Sequence, residues 1–101
     1  HEGIAVAKVD HTVGRITAAQ AADELLNISG IDTSFVLFPD QEGRVILSAR
    51  SMGDVNVQVV LEKLGGGGNA TTAGAQFPGK TTEDVLPLLK ETIDNYFDDE
   101  A

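Results

Sequence analysis

The chain has 101 residues, and 42% of them are hydrophobic, which predicts one small domain with a hydrophobic core and excludes wholesale disorder. No apolar run approaches the roughly 18 residues of a membrane-spanning helix, and we expect no signal peptide. The absence of cysteine excludes disulfides, thiolate nucleophiles and cysteine-based metal sites. Sixteen acidic and seven basic residues give a net charge of −9, which argues against broad binding to duplex DNA. Because the first residue is His1 and not Met, we expect a piece of a longer protein.

The first half of the chain predicts a strand, a helix and a hairpin. Residues 3–9 contain branched apolar residues separated by alanines, which indicates a strand. A helix is predicted over residues 17–29, because Thr17 and Gln20 form a capping-box pattern, an apolar stripe follows at helical spacing, and Gly30 is placed to end it. Residues 33–38 contain an unbroken apolar run typical of a strand covered on both faces. After a turn, residues 44–50 return as the hairpin partner of that strand.

Residues 54–64 fit two patterns. They alternate like a strand at first, but apolar residues at 57, 60, 61 and 64 follow helical spacing. Asp54 or Asn56 can cap this helix and Gly65 can end it, so the helix is the favoured interpretation. The glycine run at 65–68 is expected not to continue any regular element.

The last third of the chain predicts a strand over residues 71–77 and a final helix. Thr81 or Thr82 caps that helix, and acidic residues follow in its first turn. Pro87 removes one backbone hydrogen bond, which predicts a kink or a later helix start. The whole order predicts a single small α/β domain, with a mixed sheet of about four or five strands covered by about three helices.

Gly65, Gly66, Gly67 and Gly68 are the most informative feature for function. Each glycine carries a high entropic cost of folding, and successive unhindered N–H groups can form a concave anion site. The same run is also typical of a flexible surface loop or a long helix end. Asn69 and two following threonines supply hydrogen-bonding side chains, which favours ligand binding. The run follows a predicted helix and lacks a Gly-Lys-Ser/Thr ending, which excludes a P-loop and a dinucleotide fingerprint.

Ser48, Arg50 and Ser51 stand at the end of a predicted strand, where ligand sites of α/β sheets gather. The planar guanidinium of Arg50 suits phosphate, although a solvated charge at a strand end is the more common case. His1 and His11 lack a third ligand at metal spacing, so no metal site is expected in this chain. The residues alone therefore predict an anion-binding domain without an identifiable catalytic group.

Three stretches carry a resemblance to a known family. Their sequences are Ile-Leu-Ser-Ala-Arg-Ser-Met-Gly-Asp-Val-Asn-Val-Gln over 46–58, Leu-Gly-Gly-Gly-Gly-Asn over 64–69 and Thr-Ala-Gly-Ala over 72–75. The chain thereby resembles the DHH-associated C-terminal domain of the DHH phosphoesterase family, whose pattern is a strand ending in S-x-R-S, a short helix, G-G-G-G-H and a small-residue stretch. The resemblance covers essentially the whole chain. Residues 19–23 and 56–58 are most similar to membrane-anchored bacterial cyclic di-AMP phosphodiesterases.

The resemblance implies that residues 1–101 are the substrate-binding domain of a longer phosphodiesterase, which hydrolyses cyclic di-AMP to the linear dinucleotide pApA. A DHH domain elsewhere in that protein would hold two manganese ions and carry out hydrolysis, so this chain is expected to bind substrate without hydrolysing it. By position, Arg50 and Ser51 would contact phosphate or nucleotide. The backbone of 66–68 would approach it, and Asn56 would face the same cleft.

The resemblance also implies partners and a location. The expected partners are a cyclic dinucleotide or short oligoribonucleotide, the DHH domain of the same protein, and a second copy of the chain in a homodimer. The full-length protein would be anchored in the bacterial membrane, with this domain on the cytoplasmic side and without direct membrane contact.

Asn69 departs from the family pattern, which has a histidine after the glycines. An asparagine donates a neutral hydrogen bond but, unlike histidine, carries no charge. Two alternatives to a cyclic di-AMP phosphodiesterase stay open, and Asn69 bears on the second. One is a DHH phosphoesterase acting on short oligoribonucleotides or the linear dinucleotide. The other is a non-catalytic module for nucleotide sensing or dimerisation.

Overall fold

Five strands and three helices make up the fold, which confirms the predicted α/β domain. The structure, a computed structural model, describes residues 2–9, 11 and 15–100. His1 and part of the predicted polar connection (10 and 12–14) lie outside the described residues. The elements in chain order are β1 (Ile4–Lys8), α1 (Arg15–Leu25), β2 (Thr33–Pro39), β3 (Arg44–Ser51), α2 (Val57–Lys63), β4 (Gly67–Gly68), β5 (Thr72–Pro78) and α3 (Thr82–Glu100).

The five strands form one mixed sheet in the order β1-β2-β3-β5-β4. β1 and β2 are parallel, and α1 supplies the crossover connection that a parallel pair requires. The other neighbouring pairs are antiparallel, and β2 with β3 is the predicted hairpin. The end of β3, the start of β5 and the start of α2 therefore meet at one end of the sheet.

Apolar side chains cover both faces of the sheet. On one face, Val36, Phe38 and Ile46 pack against Ala18 and Ala22 of α1. On the opposite face, alternate residues of the same strands pack against α2 and α3. Residues 33–38 are all buried, which confirms the prediction of a strand covered on both faces. The radius of gyration is 12.4 Å, close to the value of about 13 Å expected for a compact domain of this length.

The predicted roles of Thr17 and Gly30 at the two ends of α1 are wrong. The helix begins at Arg15, so Thr17 lies inside it and is not its N-cap, because an N-cap precedes the first helical residue. It ends at Leu25, after which three successive N–H groups donate to carbonyls three residues back instead of four. Gly30, with φ of +88°, ends this series of turns and not the helix.

The helical interpretation of residues 54–64 is confirmed by α2. Asn56 is its N-cap, and the Asn56 Oδ1 atom accepts a hydrogen bond from the N–H of Val59. The glycine run does not continue α2, which ends at Lys63, but its second half forms a short strand of its own. Gly67 and Gly68 form β4 and pair with Gly74 and Ala73.

Thr81 caps α3, since its Oγ1 accepts a hydrogen bond from the N–H of Asp84 at 3.1 Å. The alternative of a later helix start is wrong, because α3 begins at Thr82 and contains Pro87. Within the described residues, no helix combines the length and the apolar composition that crossing a membrane requires.

Candidate functional site

A cavity of about 590 Å³ opens on the α1 face of the sheet. Ala19 of α1 forms one wall, Ile46 and Ser48 come from β3, and Gly74 and Gln76 come from β5. Gly65 and Gly66, which follow α2, also line it. The volume lies in the range of small-molecule sites. The structure thus brings three of the predicted site residues, Ser48, Gly65 and Gly66, to one cavity.

A cross-strand row of small residues runs from this cavity to the sheet edge. Ser48 pairs with Gly74, and Gly74 pairs in turn with Gly67. Residues opposite each other in an antiparallel pair project from the same face, and Ser48 pairs with Val36 of the α1 cluster. This glycine row (Ser48, Gly74 and Gly67) therefore lies on the α1 face. With strands about 4.8 Å apart, it leaves roughly 10 Å of backbone uncovered.

Three glycines of the run are required by the fold. Gly65, with φ of +84°, ends α2 in a Schellman motif: its N–H donates to Glu62, and the N–H of Gly66 donates to Leu61. A Cβ atom at Gly66 would lie 2.2 Å from the carbonyl oxygen of Gly74. A Cβ atom at Gly68 would lie 2.3 Å from another β5 carbonyl oxygen. Because Gly66 and Gly68 lack a Cβ atom, the chain can approach β5 closely enough to form β4.

Gly67 differs from its neighbours. Its φ is outside the left-handed region, and a Cβ atom built there meets nothing within 4 Å. Neither backbone conformation nor packing thus requires glycine at this position. The missing side chain keeps the edge of the glycine row open to any group that approaches it.

Arg50 lies on the same face as Ser48, two residues further along β3, and pairs with Thr72 of β5. Its Nε donates to the Asp23 carboxylate at 3.1 Å, and its Nη1 donates to the carbonyl oxygen of Ala49 at 2.9 Å. The Arg50 side chain is only 17% exposed. The structure therefore holds a cation beside the cavity, at the end of the sheet where the sequence placed it.

The remaining predicted site residues are engaged in local hydrogen bonds. Ser51 projects from the opposite face, where it is buried and accepts from the N–H of Gly53. Asn56 caps α2, where its Oδ1 accepts a hydrogen bond from the N–H of Val59. Its own N–H donates to the Tyr96 hydroxyl at 3.0 Å. The cleft shared by Arg50, Ser51 and Asn56 that the resemblance implied is therefore split between the two faces of the sheet.

Asn69 closes the turn between β4 and β5. Its Oδ1 accepts from the N–H and the hydroxyl of Thr71 and from the N–H of Thr72, at 2.9 to 3.2 Å. The side-chain Nδ2 donates to no group among the residues that the structure describes. Asn69 thus combines an acceptor committed to the turn with a neutral donor available to a ligand.

The carboxyls with shifted pKa values lie at the other end of the sheet. Desolvation raises the pKa of Asp40, but hydrogen bonds from Arg44 and from the N–H of Glu42 outweigh it and lower the pKa below the ordinary value. The hydrogen bond from the Glu83 N–H and the contact with Lys8 lower the pKa of Glu83. Over residues 2–9, 11 and 15–100, no cluster of three His, Asp or Glu side chains is arranged to hold a metal ion.

Sequence reasoning missed the contributions of α1 and of Gln76. Ala19 carries no signal for a cavity wall, and the contact of Asp23 with Arg50 joins residues 27 positions apart. Gly74 was part of a recognised small-residue stretch but was not assigned to the site. The alternation of side chains along β3 does contain the signal that separates Ser48 and Arg50 from Ser51.

A protein-family model and known proteins of similar sequence both match nearly the whole chain. The DHHA1 domain model matches residues 1–99. The cyclic-di-AMP phosphodiesterase GdpP of Geobacillus thermodenitrificans is 47% identical over 98 residues, 95% of this chain and 15% of that protein. The cyclic-di-AMP phosphodiesterase PdeA of Listeria monocytogenes is 40% identical over 103 residues, 100% of this chain and 16% of that protein. The chain thus spans about a sixth of the length of these relatives.

A solved structure shares the fold. An exopolyphosphatase-related protein from Bacteroides fragilis superposes with a TM-score of 0.75, at 19% sequence identity, over 88% of this chain and 28% of that protein. At this identity the likeness extends to the fold alone.

Proposed function

The chain belongs to the DHHA1 domain family, and we propose that it is the substrate-binding domain of a cyclic-di-AMP phosphodiesterase. Relatives named for that activity are 40% and 47% identical to nearly the whole chain. The domain binds the phosphates and nucleosides of its substrate. Hydrolysis to pApA takes place in a DHH domain that lies outside this chain and holds two manganese ions.

The observation that carries the proposal is the glycine row beside Arg50. A dinucleotide presents flat bases and a phosphate backbone, which need an open surface and a cation close together. Ser48, Gly74 and Gly67 leave backbone uncovered, and Arg50 lies on the same face, two residues along β3 from Ser48. Arginine binds phosphate through parallel N–H donors, which supplies orientation as well as charge.

The net charge of −9 makes a local cation important. A dianionic ligand approaching this chain is repelled by its acidic residues, seven of which lie within residues 83–101, and is attracted by Arg50 at close range. The glycine at position 67, which the fold does not require, supports a close approach of ligand to backbone at the edge of the row. Asn69 at the adjacent turn offers a neutral donor.

The same geometry accommodates a linear dinucleotide or the end of a short oligoribonucleotide, because these share the phosphate and base chemistry. We favour the cyclic dinucleotide because the relatives with 40% and 47% identity are named for it. The full-length protein is proposed to sit in the bacterial membrane with this domain on the cytoplasmic side.

Isothermal titration of the 101-residue chain with cyclic di-AMP tests the proposal, with pApA and ATP as competing ligands. Arg50→Gln is the test variant and Arg44→Gln is the matched control. Both arginines lie on β3, but Arg44 is at its opposite end, paired with Asp40. A lost charge-assisted hydrogen bond is worth about 1.5 to 3 kcal/mol, so Arg50→Gln should weaken binding by tenfold or more, on the order of one decade per 1.4 kcal/mol.

Cyclic di-AMP is expected to bind more tightly than ATP, and Arg44→Gln should change its affinity by less than about twofold. Tighter binding of pApA than of cyclic di-AMP would favour the linear-dinucleotide enzyme. The proposal is wrong if cyclic di-AMP shows no binding at millimolar concentration, or if both arginine variants weaken it equally.

A further inference from the structure

The free donors of Arg50 are limited by an acidic residue of α1. The Asp23 carboxylate accepts from Nε at 3.1 Å, and the Ala49 carbonyl accepts from Nη1. Among the described residues, Arg50 makes no further hydrogen bond, so Nη2 is the only nitrogen of the fork without a partner. A phosphate that binds side-on through Nε and Nη2 must therefore take the place of Asp23.

Asp23 is positioned for such an exchange. Its side chain is 64% exposed, whereas that of Arg50 is 17% exposed, so the carboxylate can leave for water while the guanidinium stays in place. Ala19, a wall of the cavity, lies four residues earlier and therefore on the same side of α1 as Asp23. The carboxylate thus stands where the cavity, α1 and Arg50 meet.

The energies of the two states favour exchange. Only the Asp23 partner of this ion pair is well exposed, and releasing it costs little, because water solvates the freed carboxylate almost as well as arginine does. A phosphate offers Arg50 two charge-assisted hydrogen bonds in the geometry of its fork. Displacing Asp23 is therefore a small cost to a phosphate ligand.

We propose that Asp23 is an internal competitor for the ligand phosphate: it holds and neutralises Arg50 when no ligand is bound, and it is displaced when phosphate binds. The inference deepens the proposed function and rests on it. Asp23 then lowers the affinity of a phosphate that binds side-on and speeds its release, because such a phosphate must outcompete a carboxylate tethered beside the guanidinium.

The test is the affinity of Asp23→Asn for cyclic di-AMP and for inorganic pyrophosphate, measured on the 101-residue chain. Glu24→Gln is the matched control, since Glu24 is an exposed acidic neighbour on the same helix and the described hydrogen bonds and ion pairs of Arg50 do not include it. Removing a competing surface ion pair should raise affinity about three- to fivefold. The control should raise it by less than about 1.5-fold at physiological salt, because exposed charges are screened.

Two further measurements isolate the pair. In the background of Arg50→Gln, Asp23→Asn should no longer change affinity, because the group for which Asp23 competes is gone. The NMR signal of the Arg50 Nε–H should shift in Asp23→Asn without ligand, and saturating ligand should move the wild-type signal away from its Asp23-bound position.

The outcomes separate this proposal from the proposed function. Suppose that Asp23→Asn strengthens pyrophosphate binding, but neither the wild type nor the variant prefers cyclic di-AMP to ATP. Asp23 is then confirmed as a competitor for phosphate, and the proposed cyclic-di-AMP function is wrong. If Asp23→Asn weakens binding, Asp23 orients Arg50 in the complex and the proposal is wrong. It is equally wrong if Asp23→Asn and Glu24→Gln have the same effect, or if neither chain binds any of these anions.

Discussion

The four consecutive glycines should respond differently to one substitution, glycine to alanine. At Gly66, the added methyl group would lie 2.2 Å from the Gly74 carbonyl oxygen and 2.6 Å from the Cβ of Ala75. At Gly67, it would meet nothing within 4 Å, and the backbone conformation is one that alanine adopts. Adjacent positions thus provide a test of fold and a test of ligand binding.

The expected magnitudes follow from these distances. Both contacts at Gly66 are much shorter than an ordinary van der Waals contact, and one partner is backbone, so β4 must move away from β5. Overpacking of this kind costs about 1 to 3 kcal/mol, which lowers the melting temperature by roughly 5 to 20 °C in a domain of this size. Gly67→Ala should leave stability unchanged or raise it by about 0.5 kcal/mol, because alanine restricts the unfolded chain.

Thermal unfolding followed by circular dichroism measures the first effect, and titration with cyclic di-AMP measures the second. Gly67→Ala should bind the dinucleotide at least about tenfold more weakly, a loss of 1.4 kcal/mol, because its methyl group covers the edge of the glycine row. Equal melting temperatures for the two variants would refute the packing of β4 on β5. Undiminished binding by a fully folded Gly67→Ala would refute the role of the uncovered backbone.

The remaining predictions concern the supports of the site and of α3. Tyr96→Phe should lower the free energy of unfolding by about 1 to 2 kcal/mol in urea denaturation, because the Asn56 N–H loses its acceptor. In Asp84→Asn, the free energy of unfolding should fall less steeply with decreasing pH below about pH 4. Hydrogen bonds from the Thr81 N–H and hydroxyl lower the pKa of Asp84 from its ordinary 3.8, so this carboxylate stabilises the fold above that value and stops doing so as pH falls through the folded-state pKa. Asn69→Ala should cost about 1 to 2 kcal/mol, because three donors lose the acceptor that closes their turn.

Each of these predictions has a contradictory outcome. If Tyr96→Phe is as stable as the wild type, water replaces the tyrosine hydroxyl as the acceptor for the Asn56 N–H. An unchanged acid slope for Asp84→Asn, measured by unfolding between pH 2 and about 6, would mean that this carboxylate is not linked to folding. Asn69→Ala as stable as Asn69→Asp would show that the side-chain oxygen does not hold the turn, because aspartate retains that acceptor.

The fold was largely predictable because its signals are local. The apolar run in β2, the cap and stop signals around α2, and the threonine before α3 each depend on residues close together in the chain. The ends of α1 were not predictable, because Thr17 and Gly30 satisfy the sequence rules for caps although the helix begins at Arg15 and ends at Leu25.

The candidate site was predictable in part. The resemblance and the strand-end position identified Ser48, Arg50 and the glycine run. The different tasks of the glycines could not be read from four identical letters, because they depend on how close β5 lies to each Cα atom. The contact between Asp23 and Arg50 was also not predictable, since it joins a helix to a strand that is distant in the sequence.

Chemical-shift mapping of the 101-residue chain with cyclic di-AMP tests the central claim most directly. If this surface binds the nucleotide, the amide signals of Ser48, Arg50, Gly67 and Gly74 shift with increasing ligand, more strongly than with ATP. The amide of Gly43, in the turn at the opposite end of β3, should stay unchanged. Shifts confined to the Gly43 end of the sheet, or no shift at millimolar ligand, would contradict the assignment of this surface as the nucleotide site.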